Sequence, residues 1–97
     1  MPDPTPADAP ASVLSVRFFL DADADPGLLP RLLAPFARRD LTPDRMWSHR
    51  SGSTVHVEIA FAAMPAAELP LIEGNLRQVV GLHCLTRGDG QSLARAA

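Results

Sequence analysis

The sequence predicts an α+β fold, a four-stranded antiparallel sheet with two helices on one of its faces, in the order βαββαβ. Three observations lead there. Apolar residues alternate with a period of two in separate short stretches, and two stretches with helical spacing lie between them. Proline, glycine and aspartate punctuate the joints. With 97 residues, 46% of them hydrophobic, the chain holds enough for one domain with one modest core.

The elements follow in order. Residues Met1 to Ala11 carry Pro2, Pro4, Pro6 and Pro10 among small and acidic residues, which reads as an extended, flexible leader. From Ser12 to Leu20, the side chains of Leu14, Val16, Phe18 and Leu20 share one face of a strand. Phe19 places an aromatic on the opposite, otherwise polar side. An acidic loop runs from Asp21 to Asp25, and Asp25-Pro26-Gly27 then marks a helix start, since proline there gives up a donor that has no partner. Leu29, Leu32, Leu33 and Phe36 line one side of that helix, with Arg31 and Arg38 away from it. Pro35 frees the carbonyl of Arg31, so a kink with Pro35 turned to water is expected.

Thr42 to Arg50 reads as a second strand whose Pro43 assigns it to a sheet edge. Arg50-Ser51-Gly52-Ser53 is a turn into the clearest strand, where Val55, Val57, Ile59 and Phe61 alternate with Thr54, His56 and Glu58. Met64-Pro65 opens the second helix, with Leu69, Ile72, Leu76 and Val79 on one side. Leu82 to Arg87 forms the last strand, so the domain spans residues 12–87 and residues 88–97 form a flexible tail. This order, with right-handed crossovers, is that of ferredoxin-like folds and implies the strand order 4-1-3-2. The second strand is then an edge whose free side is either protected or used for pairing with a second copy, and a homodimer through that edge is the expectation.

Composition narrows the function. All nine basic residues are arginine, against eleven acids, for a net charge of −2, which excludes the overall basic footprint of a nucleic-acid binder. Arg31, Arg38, Arg39, Arg45 and Arg50 gather locally, either as a solvated surface or as a grip for carboxylate or phosphate. No stretch approaches the roughly 20 apolar residues of a membrane span, and no basic-then-apolar signal opens the chain. The single cysteine, Cys84, reads as a small buried residue in a reduced, cytoplasmic setting. His56 falls on the polar side of its strand with His49 across the turn, and sheet-face histidines are the plainer reading than a metal or acid–base pair. Trp47, the sole tryptophan, reads as interface packing on the edge strand. Metal-binding, phosphate-loop and nucleophile motifs are absent, so neither catalytic residues nor a cofactor or metal are expected.

The segment Asp25-Pro26-Gly27-Leu28-Leu29-Pro30-Arg31-Leu32-Leu33, followed by Phe36-Ala37-Arg38-Arg39, resembles the first loop and helix of ACT domains. It is most similar to the small regulatory subunits of acetohydroxyacid synthase. Asn75 to Leu82 resembles the family's second helix running into its last strand. The resemblance implies a non-catalytic regulatory domain that pairs edge to edge, partners a larger biosynthetic enzyme, and holds an amino-acid effector at the dimer interface. The residues that correspond to that site are Asp25, Gly27 and Leu28 at the loop and Thr42 at the head of the second strand. Ala24 and Thr42 stand where the family carries asparagines, and Asp40 where it carries the glycine that ends the helix. Two other readings stay open. One is an interaction module without a small-molecule ligand, anchored by Phe19 and Trp47. The other is a small enzyme of the dimeric α+β barrel type, using a cleft between sheet and helices.

Overall fold

The first strand is the axis of the fold. A computed structural model describes residues 13–89, in which β1 (Val13–Asp23) is followed by α1 (Leu28–Ala37), β2 (Arg45–Ser51), β3 (Thr54–Pro65), α2 (Leu69–Arg77) and β4 (Leu82–Asp89). A 3₁₀ turn over Ala66–Glu68 leads into α2. The strands form one antiparallel sheet in the order β2-β3-β1-β4, the order expected from the sequence. The expected leader, and all of the expected tail beyond Asp89, lie outside the described residues.

Val16, Phe18, Leu20 and Ala22 of β1 are buried, and so are Val55, Val57, Ile59 and Phe61 of β3. Leu28, Leu32 and Phe36 of α1, with Leu69, Ile72 and Leu76 of α2, close over them. The rings of Phe18, Phe36 and Phe61 meet at centroid distances of 5.0 to 6.3 Å in tilted and edge-on arrangements, the geometries aromatic pairs prefer. The space between sheet and helices is therefore occupied by side chains, and the cleft that the small-enzyme reading requires is filled.

Four expectations need correction. The edge strand begins at Arg45, so Pro43 precedes it; Asp44 supplies the start by donating its N–H to the Ala60 carbonyl and accepting from the Ala62 N–H through its carboxylate. Proline has no N–H to play that part. The second helix does not open at Met64-Pro65. Met64 faces Leu14 across the ladder and is fully buried, so β3 continues through Pro65 and Pro70 falls in the first turn of α2, where its missing donor costs nothing. Pro35 is buried with Leu28, Leu32 and Phe36, so the apolar stripe of α1 is rotated toward it and away from water. Cys84 is exposed, because it sits opposite Asp21 on the face of the sheet that the helices do not cover.

Asp40 ends α1 as the sequence suggested. It adopts φ 57°, its N–H donates to the Ala37 carbonyl, and the Leu41 N–H reaches back to the Phe36 carbonyl. That pair of bonds is a Schellman motif, with partly buried Leu41 supplying the apolar contact that accompanies it. Gly81, with φ 98°, makes the corresponding turn from α2 into β4, and its carbonyl accepts from the Asp23 N–H. Two outcomes are expected from urea denaturation: Phe18→Ala loses about 3–5 kcal/mol, whereas Asp40→Gly, relieving the left-handed backbone, gains about 0.5–1 kcal/mol.

Candidate functional site

Two places gather polar side chains. The first is the loop between β1 and α1. Asp25 is exposed there and its carboxylate accepts from Arg31 at 2.9 Å; the same guanidinium reaches the Val80 carbonyl at 3.3 Å. Arg31 thus ties the loop to the turn before β4. Gly27 lies under it, since a Cβ at Gly27 would come within 2.8 Å of the guanidinium. Leu28 is fully buried, and its N–H donates to the Asp25 carbonyl. Pro26 and Pro30 have no N–H, so the start of α1 presents few amide donors.

A depression of about 370 Å³ opens beside this loop, lined by Asp25, Leu28 and Leu29 on one side and by Ser48, Arg50 and Val55 on the other. Asp25 and Leu28 therefore share a pocket. Thr42 does not join them within one chain: it lines a separate depression with Phe36 and Asp40, at the far end of α1. The locally clustered arginines also separate. Arg31 pairs with Asp25 and Arg39 with Glu68, while Arg45 and Arg50 lie on opposite faces of β2.

The second place is the open face of the sheet. His56 lies between two carboxylates, with Nδ1 at 2.8 Å from Asp21 and Nε2 at 3.1 Å from Glu58. The Asp21 hydrogen bond raises the His56 pKa above its ordinary 6.5; partial burial opposes this, and Glu58 adds to it. His49 sits directly opposite His56 in the ladder, and Trp47 stacks on His49 while meeting His56 edge-on. Phe19 packs edge-on against the other side of His56. The alternation in the sequence placed His56 and His49 on this face. It placed Glu58 on the same side of β3 as His56 but missed Asp21 as a partner because β1 was expected to stop at Leu20; continuing the period of two through Ala22 puts Asp21 on this face, opposite His56.

Residues 9–86 match the profile of the ACT-like domain family. The chain belongs to that family. The ACT domain of a GTP pyrophosphokinase from Chlorobium tepidum superposes on this ACT-like domain with a TM-score of 0.68, at 10% identity, covering 79% of this chain and 100% of that one. A solution structure of the same bacterial domain gives a TM-score of 0.64, again at 10% identity, over 78% of this chain and 86% of that one. These likenesses show the fold. No curated protein sequence matches this ACT-like domain. Among the described residues, no helix is long and apolar enough to cross a membrane, and no group of three or more His, Cys, Asp or Glu could hold a metal ion.

The electrostatics of His56 give a test. A raised folded-state pKa means that His56 contributes stability in full below pH 6.5, and that this is lost as pH rises through the folded midpoint. NMR titration of the His56 ring should show a midpoint above 6.5, and Asp21→Asn should lower it. An unchanged midpoint in that variant would contradict the pairing.

Proposed function

We propose that this ACT-like domain is a non-catalytic regulatory module that pairs through β2 and takes a small amino acid beside the β1–α1 loop. The observation that carries the reading is the presence of opposite charges on the walls of the loop depression. Asp25 and Arg50 both line it, together with the apolar side chains of Leu29 and Val55. A zwitterion needs that arrangement, with a carboxylate for its ammonium group, a guanidinium for its own carboxylate, and apolar surface for its side chain.

Pairing through β2 fits the same geometry. Every residue of β2 is exposed, and one side of the strand has no ladder partner in the sheet. Such an edge is open to a second strand. A two-fold antiparallel pairing centred near Ser48 would oppose Arg50 to Met46 and carry Thr42 of the second copy toward the Asp25 end. Thr42, remote from Gly27 within one chain, would then help to close the pocket. The likeness of the Pro26-Gly27-Leu28-Leu29 segment to the small subunits of acetohydroxyacid synthase supports an enzyme of that kind as the larger partner.

Calorimetry against valine, leucine, isoleucine and serine should find at least one ligand, with Arg50→Gln weakening it roughly tenfold through loss of a charge-assisted hydrogen bond. Absence of binding across the set would sink the sensor reading, while co-purification with a biosynthetic enzyme would still support a regulatory subunit. Sedimentation equilibrium should give a dimer that Ser48→Pro converts to monomer, since proline withdraws a ladder donor from the edge. A monomer in the unsubstituted protein would rule out pairing through β2.

A further inference from the structure

The strand register lays out the open face of the sheet in rows. Arg45, Ala60 and Arg17 form one row across β2, β3 and β1, and Trp47, Glu58 and Phe19 form the next. Neighbouring strands lie about 4.8 Å apart, so the backbones of the two arginines flank Ala60 at a separation of about 10 Å. The alanine methyl leaves a low floor between them. The resulting depression measures about 580 Å³ and is lined by Arg17, Arg45, Met46, Trp47, Glu58 and Ala60. That is within the range of small-molecule sites. Arg17 is only 9% exposed although it lies on the uncovered face, whereas Arg45 is exposed and makes no ion pair among the described residues.

Trp47 is 53% exposed, yet its ring is held. It stacks on His49 with centroids 5.9 Å apart and planes 11° apart, and His56 meets it edge-on at 5.8 Å. His56 is itself fixed by Asp21 and Glu58. His49 follows Trp47 by two residues on the same side of β2, so it covers the ring face turned toward Ser51. The uncovered ring face is the one turned toward Arg45 and the depression.

We propose that this depression binds a small molecule with a planar ring and an anionic group, the ring stacking on Trp47 and the anion gripped by Arg45 and Arg17 above Ala60. A pre-oriented indole face offers stacking area at little entropic cost, and paired guanidinium groups match the planar geometry of a carboxylate or the oxygens of a phosphate. Glu58, the acid that lines the depression, is hydrogen-bonded by His56, whose protonated form offsets its charge. The surrounding charges exclude other occupants. Stacking a second sheet here would desolvate Asp21, Asp23, Arg45 and Glu58 together. A nucleic-acid strand would run its further phosphates over Asp21 and Asp23, which repel them. The site is separate from the loop depression and does not depend on the amino-acid reading of it.

Trp47 is the only tryptophan, so its fluorescence in the full chain reads the site directly. Nicotinate, planar and anionic, should quench it saturably. Nicotinamide, which keeps the ring and loses the charge, and acetate, which keeps the charge and loses the ring, should each bind roughly tenfold more weakly or worse. Adenosine monophosphate against adenosine repeats the comparison for a phosphate and separates the two sources of anion. Arg45→Gln should weaken the preferred anion roughly tenfold with the circular dichroism spectrum and melting temperature retained, and Arg77→Gln, the charge control on α2, should leave binding unchanged. Amide shifts on binding should centre on Arg17, Arg45, Trp47 and Ala60. The proposal is overturned if neither nicotinate nor adenosine monophosphate quenches saturably, if charged and neutral rings bind alike, or if Arg45→Gln has no effect. Shifts confined to Ala24–Leu29, or affinity for single-stranded RNA that grows with its length, would overturn it equally.

Discussion

The alternation of β1 is the constraint on which the rest of this domain depends. β1 is paired on both sides, with β3 and with β4, and every second residue from Val16 to Ala22 is driven into the core beneath the helices. The intervening residues, Arg17, Phe19, Asp21 and Asp23, are thereby committed to the opposite face. A one-residue slip would exchange the two sets and bury three charges. The register is therefore strongly determined, and with it the positions of the His56 partners and of the arginine row.

The two faces of the sheet consequently have different physics. Beneath the helices, three phenylalanines and a ring of aliphatic side chains fill the interior. On the open face, polar groups find partners across strands: His56 with Asp21 and Glu58, and His83 with Asp23 at 2.7 Å. These exposed pairs add little to stability, since water and salt screen them. They do orient rings, and an oriented ring is what a binding surface requires. β2 belongs to both descriptions, because its Arg45 and Trp47 face the open side while Ser48 and Arg50 face the loop depression.

Membership of the ACT-like family with only 10% identity to the bacterial domain it superposes on shows what this architecture demands of a sequence. It demands a pattern of burial and a few backbone conformations. Asp40 at φ 57° ends α1 with a complete Schellman motif, so the turn survives without glycine. The proposed ligand positions are under no such constraint. Gly27 lies beneath the Arg31 side chain and the N–H of Leu28 is engaged by the Asp25 carbonyl, so the amino-acid reading proposed above rests on the charges of Asp25 and Arg50.

The sequence by itself determined the order of the six elements, the strand order and the edge position of β2, because alternation and helical spacing are local properties that burial converts directly into structure. It also placed Phe19, His49 and His56 on the uncovered face. Boundaries were less legible. Pro43 and Met64-Pro65 carry opposite meanings in strands and helix starts, and only the ladder partners Asp44 and Leu14 decide between them. Pro35 could be turned to water or to the core, and the rotation of α1 that buries it follows from the fit against the sheet. The candidate sites were least legible. Arg17, Arg45 and Ala60 lie far apart in the chain and share a row only through two strand registers, and Arg50 and Asp25 line one depression only because β2 passes the loop. Proximity of that kind is a property of the folded sheet, and local patterning contains no record of it.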